Sequence, residues 1–295
     1  MMLINKETLN LLAFVVLSLL FLALNSILCK AALSNNYIDA YSFTFFRIFF
    51  ASITLIAIYL FKHKKLNFSF KTNWITSFML FLYAVCFSFS FLGIDAGLGT
   101  LLLFGVVQIV MAISAIFFKE KITFQKLIGI FLALFGLVFL LYPKESFEIS
   151  YLHAFLMIIS GVSWAIYTIL GKKSIDALGN TMDNFIKATF FIIISFFLVK
   201  YSLNENMFFN SKGVLLAFVS GSITSAIGYV IWYAVLPKIQ IITAGVVQLF
   251  VPILSIFFSV IFLNEFLTMD LMISTLIISF GIIITLISKR KAVIK

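Results

Sequence analysis

The chain has 295 residues, 63% of them hydrophobic and 11% charged, with a formal net charge of +10. A water-soluble globule carries nearer half and a quarter, so this composition excludes one and indicates an integral membrane protein. The positive charge gathers at the ends of apolar segments, most of it on one side of the expected membrane, which argues against a nucleic-acid partner and for the lipid bilayer.

Ten apolar segments follow, at residues 9–33, 39–61, 74–94, 97–118, 123–142, 151–171, 183–201, 213–236, 241–263 and 268–288. Each is long enough to cross about 30 Å of hydrocarbon as a helix, so the expected class is an all-α membrane protein with ten transmembrane helices. The first segment is long for a signal peptide, lacks a clean small-residue cleavage site and has a counterpart at 151–171, so it is kept as a span. Ser18, Asn25 and Cys29 share one of its sides. In the second segment Thr44, Arg47, Ala51 and Thr54 share a side, and in the third Tyr83, Phe87 and Ser90 do; spacings of three, four and seven make such stripes.

Arg47 lies about 12 Å of helix rise beyond Asp39. Two readings stand: it binds an anionic group such as a substrate carboxylate, or it snorkels outward or pairs with Asp39 or a helix-end carbonyl. The fourth segment carries Gln108. The fifth carries Gly129, Ala133 and Gly136, small residues that let helices approach closely, and reads as scaffold.

The stretch from Tyr142 to Ser146 is the junction, giving one unit over 1–143 and another over 144–295. Beyond it, Ser160, Trp164, Tyr167 and Gly171 share a side of the sixth segment. Lys187 in the seventh occupies a place comparable to that of Arg47. Ser222, Ser225, Tyr229 and Trp232 form the stripe of the eighth segment, and Gln248, Pro252, Ser255 and Ser259 that of the ninth. All these faces are expected to look inward. Trp and Tyr usually collect at membrane interfaces, so Trp164, Tyr167 and Tyr229, set well inside their segments, line either a cavity or the packed core. Lys30 and Lys172 end their spans and are expected to mark the membrane boundary. Cys29 and Cys86, the two cysteines, lie inside spans and suggest neither a disulfide nor a metal site.

The second half repeats the first at a spacing of 145 residues. Ser114, Glu120, Thr123, Phe135, Gly136 and Leu141 meet Ser259, Glu265, Thr268, Phe280, Gly281 and Leu286 without a gap. Apolar matches are cheap here, but Glu is scarce, so Glu120 with Glu265 carries weight. Five spans per half make the halves inverted repeats, related by a two-fold axis in the membrane plane, an arrangement typical of secondary transporters. A shared "GVVQ" at 105–108 and 245–248 falls outside this register, which pairs Gln248 with Leu103 and not with Gln108. Thr123 and Thr268 are expected to cap the helices that follow them, and Asp39, Asp183 and Asp270 to sit at helix starts. Glu120 and Glu265 read as groups anchoring a helix–helix turn, with direct substrate contact as the alternative.

With the N-terminus in the cytoplasm, fifteen basic residues, among them Lys62, Lys64, Lys65, Lys119, Lys121, Lys126, Lys172, Lys173, Lys289, Arg290 and Lys291, fall on the cytoplasmic side. Lys30, Lys144, Lys200 and Lys212 fall outside. That bias puts both termini in the cytoplasm.

The "FFKEKIT" and "FLNEFLT" segments at 117–123 and 262–268, "NSILCK" at 25–30 beside "YTILGKK" at 167–173, and "GYVIWYAVL" at 228–236 ahead of the helix with Pro252 make the chain resemble EamA-type transporters of the drug/metabolite transporter superfamily, with two EamA repeats. The likeness covers nearly the whole chain. It departs from the family pattern at Leu24 and Asn25, where a Trp-Gly-like pair is usual, and at Val107, where the second repeat has Pro252. The resemblance implies a bacterial inner-membrane carrier, more often an exporter, with substrate among spans 1, 3, 4, 6, 8 and 9.

An aromatic, mostly uncharged pocket suits an amino acid or similar amphipathic metabolite. Candidate substrate-binding residues are Asn25, Arg47, Tyr83, Gln108, Trp164, Tyr167, Tyr229, Trp232 and Gln248. An importer or exchanger of S-adenosylmethionine or a nucleotide-type solute, and a non-transporting assembly subunit, are the alternatives. No span has an Asp or Glu near its midpoint, so a carboxylate proton relay is not expected. The chain lacks HExxH, GxxxxGK and paired catalytic carboxylates, so neither an enzyme nor any cofactor or metal is expected, and the expected form is a monomer.

Overall fold

A computed structural model describes residues 6–68, 71, 74–120, 122–141, 150–202, 207–266 and 268–287. Among these, regular structure is helical apart from one isolated antiparallel bridge between Ile38 and Phe209. We number the continuous helical stretches α1 (Lys6–Ser34), α2 (Ala40–His63), α3 (Trp74–Ser90), α4 (Ala96–Phe117), α5 (Phe124–Leu141), α6 (Tyr151–Gly171), α7 (Ala177–Ser202), α8 (Ser211–Lys238), α9 (Ile241–Leu263) and α10 (Met269–Ile287). By length and composition α1, α2, α4, α6, α8 and α9 can cross a membrane; α3 and the apolar parts of α5 and α10, Phe124–Gly136 and Met272–Thr285, are shorter. Phe61, Phe117, Phe124 and Phe131 are 75% exposed or more, on an outer surface that suits hydrocarbon far better than water. The junction from Tyr142 to Ser146, Lys121, Lys144 and the basic C-terminal run from Lys289 lie outside the described residues.

Helix ends are set by identifiable chemistry. Asp39 accepts the amide of Ser42 at 2.8 Å and opens α2, and it also takes the amide of Phe208 at 2.8 Å, tying the α7–α8 connection to the same end. Asn210 caps α8 through Gly213 at 2.9 Å. Lys64 and Asn264 close α2 and α9 in the left-handed conformation. Thr123 accepts the amide of Lys126 at 3.3 Å, as expected of a cap. Asp183 does not start a helix: α7 begins six residues earlier, at Ala177, so Asp183 sits in its second turn and is buried. The third segment likewise ends sooner than expected, at Ser90.

Neighbours follow a rule. Each principal contact between helices has a counterpart obtained by adding or subtracting five from the helix numbers: α1 with α9 and α6 with α4, α3 with α6 and α8 with α1, α2 with α8 and α7 with α3. The self-paired contacts α2–α7, α4–α9 and α5–α10 are all antiparallel. Ser52 meets Thr189 while Tyr41, earlier in α2, meets Ser195, later in α7. Gly97 faces Ser259 and Met111 faces Gln248. In α5–α10, Gly129 and Gly281 allow direct backbone contact: a Cβ on Gly281 would stand 2.5 Å from the Gly129 carbonyl oxygen and 2.7 Å from the Ala133 nitrogen. The expected scaffold role of Gly129, Ala133 and Gly136 matches this packing.

Two carboxylates bind across the halves. Glu120, after α4, accepts the amides of Ile241 and Ile242 at 2.8 and 3.1 Å, opening α9. Glu265, after α9, accepts those of Ala96 and Gly97 at 2.7 and 3.2 Å, opening α4. Each satisfies free donors at a positive helix end. The residues anchor the start of a helix in the opposite half, and not the local turn that sequence spacing suggests. Two lysines hold connections within their own halves: Lys30 donates to the carbonyls of Phe91 at 3.1 Å and Ile94 at 2.8 Å, between α3 and α4, and Lys172 donates to that of Ile239, between α8 and α9.

Candidate functional site

The inward stripes converge where α1, α2, α3, α6, α8 and α9 meet. Arg47 on α2 is 1% exposed. It donates from Nε to Ser225 Oγ at 3.0 Å, and from Nη2 to the hydroxyls of Tyr229 at 2.8 Å and Tyr83 at 3.3 Å. Its guanidinium carbon stands 5.2 Å from the ring centre of Phe87 and 5.5 Å from that of Tyr83. None of the three structural alternatives for this residue is what the geometry shows, since its hydrogen bonds go to side-chain hydroxyls and not to a helix-end carbonyl. It does not snorkel, and Asp39 is occupied by two backbone amides.

Trp164 on α6 is the aromatic centre. Its ring lies 4.9 Å from those of Tyr83 and Tyr229 and 5.4 Å from that of Tyr167, while Nε1 donates to Gln248 Oε1 at 2.6 Å. Gln248 in turn donates to the Ala244 carbonyl at 3.0 Å. Pro252, four residues on, has no amide for the Gln248 carbonyl, and the α9 ladder is interrupted at Leu249. The polar side chain that holds Trp164 therefore stands at a break in its helix.

Asn25 on α1 joins through hydroxyls. Its Oδ1 accepts from Ser220 at 2.8 Å, Thr224 at 2.5 Å and Ser225 at 3.2 Å. Three hydroxyls from two successive turns, two of them on adjacent residues, reach one oxygen because residues Ser220–Ile227 of α8 form a π-helix, whose wider turn rotates the face away from the 3.6-residue register. Gly221 lets this segment lie against the backbone of α2, where a Cβ would overlap the Arg47 carbonyl. Ser222, assigned from α-helical spacing to the stripe with Ser225, instead turns to α2 and accepts from Thr54 at 2.9 Å. Ser220 and Thr224 were not expected in the cluster; the run Ser220-Gly221-Ser222 with Thr224 and Ser225, dense in small hydroxyl residues, was the signal for them.

Asn25, Arg47, Tyr83, Trp164, Tyr167, Tyr229 and Gln248 are thus brought together, each 3% exposed or less. Two candidates stand apart by contact. Gln108 is buried beside Gly245 on α9, and neither polar atom of its amide has a hydrogen-bond partner among the described residues. Trp232 is buried one turn beyond Tyr229, its Nε1 without a partner among the described residues. Lys187 lies over the rings of Phe68 and Trp74, away from Arg47. Hollows of about 460 and 340 Å³ open between exposed rings on the outer surface, around Phe131 and around Phe45 with Phe209, and do not reach this cluster. The cluster where the two halves meet is buried and polar.

A family model described as the EamA-like transporter family matches residues 10–142 and again 152–287. The chain is 36% identical over 271 residues to an uncharacterized protein of Pseudomonas aeruginosa, covering 92% of each. It is 26% identical to an uncharacterized transporter of Bacillus subtilis, over 81% of this chain and 85% of that one, and 27% identical to an uncharacterized transporter of Archaeoglobus fulgidus, over 88% and 91%. A crystal structure with 16% sequence identity shares the fold at a TM-score of 0.73, covering 93% of this chain and 98% of that one.

Proposed function

Because the chain belongs to the EamA-like transporter family and is a multi-pass membrane protein, we propose that it is a secondary carrier that moves small metabolites by alternating access. The single observation that carries this reading is the buried polar cluster: an arginine, three tyrosines, a tryptophan and two amides from six helices meet between the two matched repeats. Buried polar groups at that density are costly in a membrane unless they serve a pathway.

In this reading the ten helical stretches are ten spans, and the units 1–143 and 144–295 form inverted repeats. Support comes from the antiparallel pairing of α2 with α7, α4 with α9 and α5 with α10, as inversion requires of symmetry-related helices. The solute is an amphipathic metabolite related to the amino acids, received by Asn25, Arg47, Tyr83, Trp164, Tyr167, Tyr229 and Gln248, with Gln108 and Trp232 at the margins. Direction is outward across a bacterial inner membrane, with both termini in the cytoplasm, as the distribution of lysines favours. The purified chain in proteoliposomes is expected to give saturable counterflow of amphipathic solutes, with altered apparent affinity in Tyr229→Ala. Absence of solute flux across a broad metabolite panel would reject the carrier reading.

A further inference from the structure

We propose that Arg47 binds the carboxylate of a monoanionic amphipathic solute where the two halves meet, an inference that rests on the carrier reading above. A guanidinium has five N–H donors and no acceptor. Those of Arg47 meet only the neutral hydroxyls of Ser225, Tyr83 and Tyr229, and Nη1 has no partner among the described residues. No described carboxylate pairs with it. A charge buried to this degree needs a counter-ion, since low dielectric raises the cost of an unpaired cation.

A second spare donor stands beside it. Ser225 Oγ accepts from Arg47 Nε and donates to Asn25 Oδ1, so the two side chains share one hydroxyl, and Asn25 Nδ2 is buried without a partner among the described residues. Spare donors on both sides of Ser225 call for a group that only accepts, and a carboxylate does so with two oxygens in the plane a guanidinium favours. The rings of Trp164, Tyr83 and Tyr229 pack around the same place and suit an apolar or aromatic body. Charge selects among carboxylates. A monoanion neutralises the site, a zwitterionic amino acid leaves it one charge positive, and a phosphate dianion overfills it.

The test uses four molecules of similar shape: 3-phenylpropanoate, 3-phenylpropanamide, phenylalanine and 3-phenylpropylamine. Thermal stabilisation of the detergent-solubilised full chain reports binding, and counterflow in proteoliposomes reports transport. The acid is expected to bind at least about tenfold more tightly than the amide, and than phenylalanine. Arg47→Gln should bring acid and amide within about twofold, while Arg47→Lys keeps the order. Asn25→Asp, which places a carboxylate next to Ser225, should raise the melting temperature of the ligand-free protein and weaken acid binding about tenfold or more; it decides the matter if Arg47→Gln does not fold. The proposal is overturned if the amide or phenylalanine binds as well as the acid, if none of the four binds, or if Asn25→Asp leaves acid affinity unchanged. Preference for the acid in binding with no flux of any solute would uphold the anion site and reject the carrier; flux that ignores the carboxylate would do the reverse.

Discussion

Trp164 and Gln248 show how much a single polar contact matters at the seam. The indole N–H is buried and its one partner is Gln248 Oε1 at 2.6 Å. Trp164→Phe keeps most of the ring packing but orphans that oxygen, so a loss of about 1–3 kcal/mol in stability is expected. Gln248→Leu in the same background should cost less than it does alone, because the acceptor it removes is already unpaired. Denaturation of the four proteins of this cycle in one detergent measures the coupling, and strict additivity would show that the contact contributes nothing. The residue identities were legible in the sequence as a stripe of Trp and Tyr too deep for an interface. Their mutual contacts were not, since residues 84 apart in sequence share no local pattern.

Whole helices are held at their ends by groups from the other half. Glu120→Ala and Glu265→Ala each free two backbone donors at a helix N-terminus, and each is expected to cost about 1–2 kcal/mol, with the Gln variants recovering part of the loss. Equal losses in the two alanine variants, read as melting temperatures, are expected because the two contacts match in partners and length. A loss confined to one would break the equivalence. The α5–α10 pair offers a separate check: Gly129→Val would drive a branched side chain into the backbone of α10, costing about 1–3 kcal/mol or more, while leaving solute affinity unchanged because both helices stand away from the cluster. At this scale the sequence located helices well by apolar length, and Glu120 and Glu265 stood out by register. It misplaced the partners of those carboxylates, and it misread the face of α8, because a π-helical segment has a period that an α-helical template does not allow for.

The molecule as a whole carries two matches to one family, packed against each other, and in the proposed carrier its buried charge predicts how a membrane voltage acts. If each turnover carries one solute monoanion across while Arg47 stays with the protein, an inside-negative potential favours outward movement. Efflux of 3-phenylpropanoate from proteoliposomes is therefore expected to quicken when a potassium gradient with valinomycin makes the lumen negative, and to slow when the gradient is reversed. A rate indifferent to the sign of the potential would rule out net movement of one negative charge. The sequence alone determined that the chain is helical and membrane-embedded, that it is duplicated, and most of the inward stripes outside α8, because apolar length and helical period are local properties. Only the tertiary structure decided that Asn25, Ser225, Arg47 and Tyr229 form one connected group, that Gln108 and Trp232 lie beside it, and that each half caps the other. Those contacts join residues more than a hundred positions apart, and their geometry depends on close helix packing at Gly221 and on the widened turn of α8.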